Sequence, residues 1–145
     1  MEHQIFTFIN NHLFLVGLFA LLLVAIVVYE LKNGQGSVGG IPHLAPQQAV
    51  MHINHNHALI VDVRSQDAFN SGHILDAINI PATDLEQQLK KIEKYKKKPV
   101  VVVCALGQSA AKVAKQLLNA GFQDVRVLMG GLQEWQKSRL PLVKS

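Results

Sequence analysis

Val100-Val-Val-Val-Cys104-Ala-Leu-Gly-Gln-Ser109-Ala-Ala-Lys-Val-Ala-Lys115 is the stretch that decides the fold. Four uncharged β-branched residues in a row suit a parallel strand covered on both faces. Ser109, followed by alanines, lysines and paired leucines, suits a helix that begins there. The only cysteine of the 145 residues therefore stands where strand becomes loop. In such a turn the amides of Leu106, Gly107, Gln108, Ser109 and Ala110 are helix-start donors that can converge on the sulfur, which favours an anionic sulfur and makes Cys104 a candidate nucleophile. The competing reading is a small hydrophobe that ends a core strand.

On the N-terminal side, Ala58-Leu-Ile-Val-Asp-Val63 reads as a second buried strand, closed by Asp62 and Arg64, which either pair structurally or line a site at the sheet's carboxyl edge. Asp67 to Ser71 reads as a short helix, Ala77 to Ile80 as a strand stopped by Pro81, and Thr83-Asp-Leu-Glu86 as a capping box that opens a helix through Leu85, Leu89 and Ile92. Pro46 marks the start of an earlier helix, Gln47 to Ile53. On the C-terminal side the Cys104 helix runs to Ala120 with Gly121 as its stop, Asp124 to Leu128 is a last strand, and Gly130-Gly131 turns the chain into Leu132 to Ser138, where Trp135 packs on the domain. Strands alternating with helices from His43 onward give an α/β domain with a mainly parallel sheet, whose ligands sit beyond the strands' carboxyl ends.

Farther out, Leu13 to Tyr29 holds 17 residues without a charge, near the lower limit for crossing a bilayer, and reads as an N-terminal transmembrane anchor within residues 1–31 that the weaker run Ile5 to Ile9 extends. A cleaved signal peptide fits less well, because no Lys or Arg precedes the run and no small-x-small site follows it. All 14 Lys and Arg come after it, so the positive-inside bias predicts a single pass through the inner membrane with the C-terminal domain in the cytoplasm. Residues 32–40, rich in glycine and polar side chains, read as a flexible linker, and 41–145 as the folded domain.

The formal charge of +4 is too small to argue for nucleic acid, and no aromatic residues interleave with the basic ones. Lys90, Lys91, Lys94, Lys96, Lys97 and Lys98 form one run, read either as a solvated helix end or as a contact for anionic lipid. His52, His55 and His57 lie close together but lack a carboxylate or cysteine partner, so they read as solvated loop residues and no metal is assigned. One cysteine excludes an internal disulfide.

Taken together, Asp62-Val-Arg64, Phe69, Gly72-His-Ile74, Ala77-Ile-Asn-Ile-Pro81, Cys104-x-x-Gly107, Ala120-Gly-Phe122, Val127-Leu128, Gly130-Gly-x-x-x-Trp135 and Pro141 resemble the rhodanese-homology family over about residues 41 to 142, and the N-terminal apolar run resembles its membrane-anchored bacterial type. The resemblance implies a five-stranded parallel sheet with helices on both faces. It also implies a sulfurtransferase in which Cys104 carries sulfane sulfur as a persulfide, taken from a small sulfur-donor anion or a protein persulfide and passed to a thiol or cyanide.

Substrate would then be held by the loop, Ala105 to Ala110, with Arg64 as a lesser contributor or a structural residue; Ser109 would cap the helix or donate to the sulfur, and no cofactor is required. Family loops often carry arginines where this chain has Ala105 and Gln108, phosphatases with the related loop need one where it has Ala110, and Ala68 stands where glutamate is frequent. These departures weaken thiosulfate as donor more than they weaken a persulfide. They also leave open a binding module that kept the fold without turnover. A redox-sensing thiol is a third reading, but the chain has no second cysteine to resolve it.

Overall fold

A computed structural model describes residues 7–8, 11–33 and 40–145, and the chain divides into two compact units, 1–35 and 36–145. Residues 34–39, most of the expected linker, lie outside the described residues, as does most of Ile5 to Ile9.

The first unit holds one long helix, α1 (Leu13–Asn33). The expected transmembrane helix is overturned: among the described residues no helix is long and apolar enough to cross a membrane. The uncharged run within α1 stops at Tyr29, because Glu30 follows, and its 17 residues reach about 25 Å at 1.5 Å per residue against a hydrocarbon core of roughly 30 Å.

The second unit is the expected α/β domain. In chain order it contains β1 (His43–Leu44), α2 (Pro46–Asn56), β2 (Leu59–Asp62), α3 (Gln66–Ser71), β3 (Ile78–Asn79), α4 (Leu85–Ile92), β4 (Pro99–Val103), α5 (Gln108–Asn119), β5 (Asp124–Leu128) and α6 (Gly131–Lys137). The five strands form one sheet, ordered β1-β5-β4-β2-β3, with every pairing parallel. Strand β4 lies at its centre because it is apolar on both sides: Val100, Val101, Val102 and Val103 are each at most 1% exposed. Alternate residues serve opposite faces. Val100, Val102 and Cys104 pack with Val113, Ala114 and Leu117 of α5 and with Leu85 and Ile92 of α4. Val101 and Val103 pack with Ala49 of α2 and with Leu132 and Trp135 of α6. Each such side chain contributes about 1.5–3 kcal/mol relative to exposure, so β4 is the strand whose disruption costs most.

Local signals differ from expectation at a few ends. The Thr83 box does not form: Thr83 Oγ1 donates to Asp84 Oδ1 at 3.0 Å, and a 3₁₀ turn, Ala82–Asp84, leads into α4. Its counterpart is at α2, where the Ala45 amide donates to Gln48 Oε1 at 3.0 Å. The lysine run continues past α4 into a 3₁₀ turn, Glu93–Tyr95, where Lys96 pairs with Glu93 at 3.0 Å and Lys94 and Lys98 approach the Tyr95 ring at 5.0 and 5.6 Å. Of the three clustered histidines, His52 is bonded through its two ring nitrogens to Asn56 and Arg126, at 3.0 and 3.2 Å.

Candidate active site

The carboxyl ends of β4 and β2 and the amino ends of α5 and α6 meet around Cys104. The cysteine is unpaired and 3% exposed, and its Sγ accepts the Gly107 amide at 2.8 Å. That bond closes the turn between β4 and α5. It requires Gly107 at φ 93°, a left-handed backbone that side chains resist, and a Cβ there would stand 3.3 Å from the Gly130 nitrogen. Gly107 therefore occupies the cap position with no side-chain cap, and α5 starts at Gln108, one residue before the expected Ser109.

The remaining loop residues fall into two sets. Ala110 is buried beneath the loop, whereas Ala105, Leu106, Gln108 and Ser109 are exposed. Ser109, in the first turn of α5, does not cap it. Of the five expected donors, only the Gly107 amide bonds the sulfur among the described residues.

Sequence reasoning took Gly130-Gly131 only as a turn, yet it supports the nucleophile loop. The Leu132 amide donates to the Cys104 carbonyl at 2.9 Å and the Gln133 amide to the Ala105 carbonyl at 3.1 Å, so the free donors of the α6 start are spent on holding the loop. Gly131 has φ 60°, and a Cβ on it would overlap the Cys104 carbonyl oxygen and lie 2.6 Å from that of Ala105. The doubled glycine signals a close backbone approach. Its target, distant in sequence, becomes visible only in the folded chain.

Arg64 stands one strand away. Asp62 is paired in register with Val103, and the Val63 amide donates to the Val103 carbonyl at 2.9 Å. The Arg64 guanidinium is engaged by structure: Nε donates to both Asp62 carboxylate oxygens at 3.0 and 3.1 Å, and Nη2 donates to Asp62 Oδ2 and to the Gly72 carbonyl, each at 2.7 Å. Asp62 is 1% exposed, so this pair ties β2 to the start of the His73 segment in a nearly dry setting. Arg64 also lines a cleft of about 260 Å³ with Ala68, Gly72, Gln136 and Lys144.

A different cleft, of about 350 Å³, borders the nucleophile loop and is lined by His43, Leu106, Gly107, Gln108, Ala111 and Gly130. Among the described residues no Lys or Arg lines it. Leu106 is 59% exposed, so the rim offers an apolar surface beside Gly107. His43 was not singled out in the sequence, because a two-residue edge strand shows no periodic pattern. The arrangement can hold one buried sulfur against an amide, with a largely uncharged space next to it.

The match to known proteins is consistent with this geometry. The rhodanese-like domain model matches residues 45–138. The uncharacterized protein YibN of Escherichia coli strain K12 is 34% identical over 142 residues, 97% of each chain. The thiosulfate sulfurtransferase GlpE of Coxiella burnetii is 37% identical over 78 residues, 54% of this chain and 71% of that one. The crystal structure of a rhodanese-related protein from Thermoplasma volcanium superposes with a TM-score of 0.64 at 28% identity, over 71% of this chain and 98% of that one. With a family match across most of the α/β unit, a cysteine at the end of its central strand and a loop glycine bonded to the sulfur, the chain belongs to the rhodanese-like domain family.

Proposed function

We propose that the α/β domain is a sulfurtransferase that moves sulfane sulfur through a persulfide on Cys104. The observation that carries this reading is the Cys104 sulfur itself, held at the mouth of the central strand with the Gly107 amide 2.8 Å away. The similarity to GlpE over part of the chain supports it. In the first half-reaction the Cys104 thiolate attacks the outer sulfur of a donor, the bond between that sulfur and the donor's remainder breaks, and the remainder leaves with the electron pair. In the second, a nucleophile attacks the outer sulfur of the persulfide and Cys104 departs as thiolate, stabilised again by the Gly107 amide.

The donor is a persulfide or other low-charge sulfur compound in preference to thiosulfate. Among the described residues no Lys or Arg lines the cleft beside the loop to neutralise a dianion, and Arg64 already spends its Nε and Nη2 on Asp62 and Gly72. The test is intact mass after incubation with polysulfide and, separately, with thiosulfate. A gain of one sulfur, removed by cyanide, is expected with polysulfide. A chain that gains no sulfur from either donor would instead be a binding module, a reading favoured by the exposed Leu106 at the loop's rim.

A further inference from the structure

Among the described residues, His43 is the only titratable side chain that lines the cleft beside the nucleophile loop. Its Nδ1 lies 2.9 Å from the Ile41 carbonyl oxygen. A carbonyl only accepts, so Nδ1 carries the proton and Nε2 of the neutral ring keeps its lone pair. Among the described residues nothing bonds Nε2, and the atom is not sealed from solvent. Glu134, which packs on Gly130, is already near Lys137 at 3.7 Å. A base with an unoccupied ring nitrogen thus borders a space that, among the described residues, no other base lines.

Register places that base relative to the sulfur. His43 pairs with Val127 of β5, and Val127 with Val102 of β4, so the three form one row across the sheet. Val127, Val102 and Cys104 all belong to the face covered by α5, and the alternation of strand side chains puts His43 on that face too. Two strand spacings, about 10 Å, separate the β1 and β4 backbones. Val127 fills that row between them, and Cys104 stands two residues beyond Val102, at the turn whose Gly107 bonds its sulfur and lines the same cleft as His43.

We propose that His43 is a catalytic base for the second half-reaction and that the acceptor is an uncharged or weakly charged thiol that enters this cleft; the assignment rests on the sulfurtransfer reading above. The acceptor's S–H bond breaks and its proton goes to His43 Nε2. Its sulfur bonds the outer sulfur of the Cys104 persulfide, the bond from that sulfur to Sγ breaks, and the electron pair stays on Cys104. Thiol and persulfide become persulfide and thiolate, with no net oxidation or reduction. The proton on His43 then balances the thiolate.

The experiment uses the full chain, loaded with sulfur by polysulfide and mixed with either 2-mercaptoethanol, a neutral thiol, or sulfite, which at alkaline pH has no proton to lose. Decay of the extra sulfur is followed by intact mass. His43→Asn keeps a donor for the Ile41 carbonyl while removing Nε2, and it should load normally and transfer to the thiol about a hundredfold more slowly, with transfer to sulfite unchanged. His43→Ala should be slow with the thiol and regain rate as free imidazole is added. Thiol transfer by His43→Asn within about twofold of the wild type, or an equal loss with thiol and sulfite, would overturn the assignment. A wild type that never gains sulfur would overturn the sulfurtransfer reading, and this assignment with it.

Discussion

Replacing Gly131 with alanine tests whether the nucleophile loop is built on the start of α6. Two costs separate cleanly. A residue with a Cβ held at φ 60° loses about 1–2 kcal/mol relative to glycine. The added methyl would also meet the carbonyl oxygens of Cys104 and Ala105 and the Ala105 carbonyl carbon, all backbone atoms that cannot swing aside. Overpacking of that kind costs about 1–3 kcal/mol more.

Gly40 supplies the control, since its φ is 81° and nothing stands within 4 Å of its Cβ position. Gly40→Ala should therefore lose only the conformational part, about 1–2 kcal/mol, and Gly131→Ala about 2–5 kcal/mol. Urea unfolding read through the fluorescence of Trp135, the single tryptophan, gives both values. Only Gly131→Ala should also slow the loading of sulfur on Cys104, because the loop can admit the methyl only by breaking the bonds from Leu132 and Gln133. Equal stability for the two variants, with normal loading in both, would refute the reasoning.

Cys104→Ser should abolish loading and transfer while changing stability by less than about 1 kcal/mol, because the hydroxyl can still accept the Gly107 amide; mass spectrometry and urea titration check the two halves. Gln108→Arg adds a cation to the rim of the cleft and should raise kcat/KM for thiosulfate about tenfold or more, with little change for a neutral sulfur donor, as steady-state kinetics with both donors would read. Asp62→Ala strands the guanidinium of Arg64 in a site where the carboxylate was 1% exposed and should lower stability by about 3 kcal/mol; a loss of only a few tenths in urea titration would show that Arg64 relaxes into solvent.

The parts of the fold that were legible were those written in consecutive residues. Val100 to Val103 announces a central strand because both of its faces are apolar, Asp124–Leu128 was bounded correctly by its turn residues, and Cys104 at a strand's end with Gly107 three residues later outlines the loop. What was hidden depends on tertiary context. Strand β1 is two residues long and exists only because β5 accepts it, so His43 could not be placed. The role of Gly131 needs the Cys104 carbonyl against it. Thr83 has the spelling of a cap but bonds Asp84, because Pro81 sets up a 3₁₀ turn first. The apolar run was read for composition correctly, and its 17 uncharged residues misled as to span.

The sheet order has a consequence for synthesis. A chain leaves the ribosome from its amino end at about 5–20 residues per second. Strand β1 emerges first in the domain, but its sole neighbour, β5, emerges last. His43 must wait about 80 residues for Val127, on the order of ten seconds, while β2 and β3 already have each other. The cleft lined by His43 therefore closes only after β2, β3 and β4 have emerged and can pair. A chain halted before Asp124 would expose the β5 side of β4 and leave β1 with nothing to pair with, so quality control that samples nascent chains would meet Cys104 before its loop has α6 to rest on.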